Sequence, residues 1–355
     1  METTSAAPAG DSPMPGDARM PGDARMPGDA RMPGDARMPG DAPLPDDLRP
    51  GLLQRLQALL LANPVAFKEL RGRMRGRRAY ILITVYTAVL SLAMLLVYFV
   101  TNSSSTPNNY NSIQMVGKAL FGAVFWLQLL VMCFVAPALA AGAIASERER
   151  QTYELLRTTL LSARALVLGK FASGMLFLLL LLLVGLPLQS MAYLFGGVTL
   201  EELLVGTLLL IVTAAAFLAV GIFFSSLSGR TLISTVLSYG VSLLLVFGLP
   251  MLLFLLLLLQ QNLISGTGLS NMNVFQETML LLLMWSGMSI NPLATAVGSE
   301  VILLQESSLW SMSISLSSAG SISMPSPWIP YTILYTLLSL FLLWLAVRRV
   351  SRLDK

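Results

Sequence analysis

The sequence predicts an all-α membrane protein. Six transmembrane helices are expected, with an N-terminal amphipathic elbow helix before the first and short extracellular helices between the fifth and sixth spans. Three observations predict this class. The chain of 355 residues is 55% hydrophobic and only 12% charged, whereas soluble domains carry about 25% charged residues. The deficit is concentrated in uncharged windows of about 20 residues or more, the length a helix needs to cross the hydrocarbon core. The basic residues also fall between these windows in a one-sided pattern.

Residues 1–50 read as a disordered low-complexity tail. The hexapeptide Met-Pro-Gly-Asp-Ala-Arg starts at Met14 and recurs at Met20, Met26 and Met32, with a variant from Met38 ending in Pro43. Each unit is neutral, its Pro and Gly oppose helix and strand alike, and it has almost nothing to bury. The tail lacks the basic and apolar regions of a secretion signal, so the first span is expected to direct insertion.

Residues 51–78 read as the elbow. Leu52, Leu53, Leu56, Leu59 and Leu60 recur at helical spacing opposite Gln54, Arg55 and Gln57. Asn63-Pro64 breaks this helix and opens another, with Asn as N-cap and Pro in the first turn. That second piece runs into Arg71, Arg73, Arg75, Arg77 and Arg78. An amphipathic helix ending in a basic cluster suits a membrane surface, and these arginines are the expected anchors to membrane lipid.

Residues 79–355 read as a six-span domain, with spans near 79–101, 116–145, 165–195, 203–224, 231–259 and 328–347. Pro137, Pro187 and Pro250 kink the second, third and fifth. With the N-terminus inside, Lys118 alone of the 23 basic residues falls at an outer boundary, while Glu201, Glu202, Glu277, Glu300 and Glu306 fall outside. The positive-inside rule therefore predicts an even number of spans and two cytoplasmic termini. The apolar pieces 278–285 and 293–304 are too short to span and are separated by Asn291-Pro292, so two short outer helices are expected there. A kinked pair of full spans is the alternative. A Ser-rich stretch follows from Ser307 to Ser326.

The loop after the second span is the most informative stretch of the sequence. Ser146 and Glu149 have capping-box spacing, the alternative being that the helix continues out of the second span, and Glu147/Arg150 and Glu154/Arg157 form i,i+3 pairs around Leu155 and Leu156. A short charged helix between two long spans can pass a push from a soluble partner to both; alternatively, it is a solvated loop whose charges pair among themselves.

This segment resembles that of type-2 ABC exporter permeases. The matching residues are Ser146, Glu147, Arg148, Glu149, Thr152, Glu154, Leu155 and Leu156, then Gly169-Lys170 at the third span. Asn63-Pro64-Val65 and Lys68-Glu69-Leu70-Arg71 resemble the elbow of that family. The resemblance implies the permease subunit of an ATP-binding-cassette transporter, a non-catalytic chain that exports a substrate across a bacterial or archaeal plasma membrane. It implies that the helix carrying Glu147, Arg148, Glu149, Arg150, Thr152, Glu154, Leu155, Leu156 and Arg157 docks on a cytoplasmic ATPase subunit. It also implies a second permease subunit, identical or not, and ATP with magnesium bound by the partner ATPase rather than by this chain. The chain contains no GxxxxGK[ST] phosphate loop, so the ATPase is expected to be a separate polypeptide.

Rival classes have fewer residues to stand on. A proton-coupled transporter or channel leaves ionisable residues at mid-span; none is read there, and Lys118 and Lys170 near span ends are expected to snorkel. Sodium coupling through backbone carbonyls stays open. An intramembrane enzyme needs a nucleophile with a base, but the chain has no His, and Ser234 and Ser238 read as helix-packing residues. Met272, Met279, Met284, Met288, Met312 and Met324 read as apolar filler rather than a copper site, without His or Cys beside them. No nucleic-acid partner is expected.

Overall fold

The computed structural model describes residues 69, 71–72, 77–104, 110–151, 162–252, 255, 258, 274–306, 310–316 and 320–353. Its helices are α1 (Arg77–Ser104), α2 (Tyr110–Ala141), the short α3 (Ala145–Glu149), α4 (Ala163–Leu194), α5 (Leu200–Leu227) and α6 (Thr231–Leu243). α6 continues through a π-helical turn, Leu244–Gly248. Then come α7 (Val274–Ile290), α8 (Pro292–Glu306), the strands β1 (Ser311–Leu316) and β2 (Gly320–Pro325), and α9 (Trp328–Leu353). Among the described residues six helices are long and apolar enough to cross a membrane: Ala79–Ser103, Gln114–Glu149, Ala163–Leu194, Leu200–Leu227, Thr231–Leu252 and Trp328–Arg352.

Side-chain contacts fix the direction of each helix. Lys170 meets Glu147 and Gln189 meets Gln128, so α4 runs antiparallel to α2. A Cβ on Gly206 would touch Phe121 and Phe125, and one on Gly221 would touch Ala140, so α5 runs parallel to α2. Ser234 donates to the Ala141 carbonyl and Tyr239 to that of Phe134, so α6 is antiparallel. Thr213 meets Tyr331 and Phe217 stacks on Tyr335, so α9 follows α5. Tyr86 lies by Gly185 and Tyr98 by Phe195, so α1 follows α4. As a result Arg71, Arg77, Arg148, Arg150, Arg164, Lys170, Arg230, Arg348, Arg349 and Arg352 share one end, and Lys118 lies at the other.

α5 is the central helix and packs most extensively on α2 and α9. It buries Leu210, Ala214, Phe217, Leu218 and Val220. Lipid gives no hydrophobic drive between helices, so close approach of small residues has to supply the packing. Gly221 does this: a Cβ there would come within 2.5 Å of Ala140 Cβ. α1 is the opposite case and leaves Ile81, Val85, Val89, Leu92, Leu96 and Phe99 exposed, a surface suited to lipid and not to water. Between α4 and α5 the chain turns at Gly196 and Gly197, with φ of 83° and 85° that side-chain-bearing residues rarely adopt.

The region between the last two spans differs from expectation in detail. α7 and α8 form a pair bent by 116° at Asn291–Pro292. Tyr335 donates to the Ile290 carbonyl, and Glu300 comes back beside Gly122 at the Lys118 end. Tyr335 lies seven residues into α9, so the tip of the bend reaches about 10 Å into the bundle at 1.5 Å per residue. The π-turn explains how the tip is held. It releases carbonyls from the helical ladder, and the Asn291 side-chain amide donates to those of Leu245 and Val246 while its oxygen caps Ala294. The Ser-rich stretch is not wholly irregular and the fold is not purely α. β1 and β2 pair as an antiparallel hairpin with Met312 opposite Met324 and Ile314 opposite Ile322. The alternation of Ser with Met and Ile from Ser311 to Leu316 is the period-2 signal for it.

Of the expected elbow, Glu69, Arg71 and Gly72 are described and helical, and Arg77 opens α1. Arg71 and Arg77 are exposed. The repeats, the apolar part of the elbow, Arg73, Arg75 and the side chain of Arg78 lie outside the described residues.

Candidate coupling site

The second span breaks at residues 142–144 and resumes as α3. A break in the i→i+4 ladder frees N–H groups, which are costly to bury unpaired. Here the backbone N–H groups of Ile144 and Ala145 both donate to the Ser225 hydroxyl, at 2.8 and 2.9 Å. On the carbonyl side, Ser234 donates to Ala141 at 2.7 Å. The bend is therefore gripped by the end of α5 and the start of α6.

Glu149 makes the next connection. Its carboxylate accepts from the backbone N–H and the hydroxyl of Thr231, at 3.1 and 2.6 Å. Arg230, at the N-cap of α6, offers no side-chain cap of its own. Glu149 thus caps α6 from another helix, placing negative charge at a helix N-terminus, where the free N–H groups and the dipole favour it.

The third connection is ionic. Lys170 lies about 10 Å into α4, is 3% exposed, and donates to Glu69 and Glu147 at 2.7 Å each. Ser173, one turn further on, donates to Glu69 at 3.1 Å. One ammonium thereby joins the segment before α1, the short helix α3 and the third span. Two carboxylates on one lysine leave a net charge of −1, and both carboxylates are about a quarter exposed, which keeps them partly solvated.

These contacts correct three expectations. Lys170 does not snorkel, because two carboxylates come to it. Ser146 and Glu149 form no capping box: α3 has no side-chain cap, Ser146 donates back to the Gly142 carbonyl, and Glu149 is engaged by Thr231. Glu147 bonds Lys170 on a neighbouring span instead of merely pairing along its own helix with Arg150. Arg148 is half-buried beside them, and Arg150 is exposed. α3 ends at Glu149, and just past its C-cap Arg150 the chain takes φ 57° at Gln151, the left-handed conformation typical of the residue after a helix. Thr152, Glu154, Leu155, Leu156 and Arg157 lie outside the described residues.

Sequence reasoning did not single out Ser225, Thr231 and Ser173. The first two lie roughly 80 residues from their partners, and nothing local marks them. Lys170 did carry a signal, as an ionisable residue inside an otherwise apolar span, which demands a partner. Ser234 and Ser238 behave as packing residues, bonding the carbonyls of Ala141 and Ser234.

A bundle with six helices apolar and long enough to cross a membrane among the described residues, and a short charged helix bonded to three of them at the basic end, is the architecture of a multi-pass integral membrane protein. The chain belongs to the ABC-2 transporter family: the family model described as ABC-2 family transporter protein matches residues 63–348. The protein is thus an ABC transporter permease, a membrane component of transport. No curated protein matches the chain.

Proposed function

We propose that this permease exports its substrate using ATP hydrolysed by a separate cytoplasmic ATPase, which docks on the segment from Glu147 through Arg157, of which α3 is the described helical part. ATP and magnesium belong to that partner, and a second permease subunit completes the translocation path. The basic end faces the cytoplasm of a bacterial or archaeal cell, in accord with the positive-inside rule. The observation that carries this reading is the bonding of α3 to α4 through Lys170, to α5 through Ser225 and to α6 through Thr231. A displacement of α3 has three bonded routes into the bundle, so force applied by a docked protein reaches several spans at once.

Co-purification with the candidate ATPase tests the reading. Glu154→Arg replaces an attraction at the docking surface with a repulsion, so retained ATPase is expected to fall while the permease still inserts. If the charges only pair with each other, the substitution costs a fraction of a kcal/mol and leaves ATPase retention unchanged. Transport in reconstituted vesicles without any ATPase would refute the assignment.

A further inference from the structure

The end of the bundle opposite the coupling site holds a cavity of about 70 Å³ between α2, α5 and α8. On the same measure a water needs about 10–15 Å³, so the space corresponds to about five waters or one small headgroup. Its walls divide by chemistry. Phe121 and Phe125 form one side, stacked with centroids 5.9 Å apart. Gly206 and Leu209 are buried at its base. Three charges surround the remainder: Lys118 on α2, Glu202 on α5 and Glu300 on α8.

These charges are not consumed by one another. Lys118 makes no ion pair among the described residues, although it lines the same cavity as both carboxylates. Glu202 spends one oxygen on the Thr199 backbone N–H in a capping box. Glu300 accepts no hydrogen bond among the described residues and is exposed. Ser299, which also lines the cavity, has a buried hydroxyl with no partner among the described residues. A hydroxyl in this position can bond whatever occupies the cavity, water or a ligand.

We propose that this cavity binds an organic monocation, an amine or quaternary ammonium carrying an apolar group. Two carboxylates and one ammonium sum to −1, which one positive charge neutralises. Phe121 and Phe125 line the cavity, and aromatic rings attract a cation within about 6 Å of the centroid and accept an apolar substituent equally well. A hard metal ion fits poorly, since it needs six to eight oxygen ligands and would be repelled by Lys118. An anion fits poorly because carboxylates outnumber the lysine. The site needs no ATPase, so failure of the test below leaves the permease reading standing.

The test is calorimetric titration of the purified full-length chain in nanodiscs with benzyltrimethylammonium. Benzyl alcohol and benzylsulfonate serve as neutral and anionic counterparts, and empty nanodiscs as the blank. Saturable binding of the cation is expected, above either counterpart. Glu300→Gln should weaken it by about tenfold, the scale of one charge-assisted contact. Lys118→Met should tighten it. Gly206→Leu should abolish it, since a Cβ alone would meet Phe121 and Phe125 at 3.3 and 3.4 Å. If Gly206→Leu fails to fold, the exposed Glu300→Gln decides alone, its thermal unfolding matching the parent. Heat equal to that of empty nanodiscs, equal binding of benzyl alcohol, tighter binding of benzylsulfonate or indifference to Glu300→Gln would each overturn the proposal.

Discussion

Replacing Lys170 by Met isolates the ionic junction of the candidate coupling site. Methionine matches the four-atom apolar stem of lysine, so the substitution removes the ammonium with little change in the packing of the stem. Lys170 is 3% exposed and makes two 2.7 Å bonds. Breaking a buried pair by removing one partner costs about 3–5 kcal/mol. The lower figure applies, because Glu69 and Glu147 are about a quarter exposed and regain some hydration. A loss of about 3 kcal/mol is expected in denaturant unfolding of the purified protein. Most of this loss is the penalty of leaving two carboxylates close together and unpaired. Adding Glu69→Gln and Glu147→Gln to Lys170→Met should therefore recover at least half of it, an interaction visible only in the combined variant. Glu147→Gln alone should cost about 1.5 kcal/mol, since Lys170 keeps Glu69. A Lys170→Met cost below about 1 kcal/mol, or no recovery in the triple variant, would mean that the junction contributes no more than a surface ion pair.

The remaining predictions concern the bend, the packing and the topology. Asn291→Leu should lower stability by about 2–3 kcal/mol, since it strands the Leu245 and Val246 carbonyls and uncaps Ala294. Asn291→Asp should be at least as damaging, because it keeps the cap yet turns an acceptor on those two carbonyls; thermal unfolding of both variants checks this. Gly221→Ala should reduce the folded yield, since the new methyl meets Ala140 Cβ at 2.5 Å, and Ala140→Gly should restore part of it, the Pro137 carbonyl and Ala141 N–H staying at 3.2 and 3.3 Å, as size-exclusion profiles will report. In a Cys133→Ser background, cysteines at Ser104 and Ser318 should react with an impermeant thiol reagent outside intact cells, and Thr159→Cys should not.

What was legible in the sequence follows from one-dimensional quantities. Six uncharged stretches of sufficient length mark six crossing helices, since a helix satisfies its own backbone wherever it lies in lipid. The one-sided placement of arginines needs only the order of spans. Asn291-Pro292 announces a break, because proline interrupts a helix whatever surrounds it. The charged segment from Ser146 stood out because polar residues abut an apolar run. The tertiary structure decided what those residues bond to. Glu149 had its capping-box partner three residues away in sequence, yet it caps a helix that begins 82 residues later. Lys170 seemed near enough to a span end to reach water, yet Glu69 and Glu147 reach it first, from 101 and 23 residues away. The hairpin at 311–325 depends on pairing between strands, and the cavity at Lys118 depends on three helices meeting with glycines at the contact. Local pattern specifies where a helix starts and which solvent it suits; which charge meets which is settled only when packing brings distant turns within 3 Å.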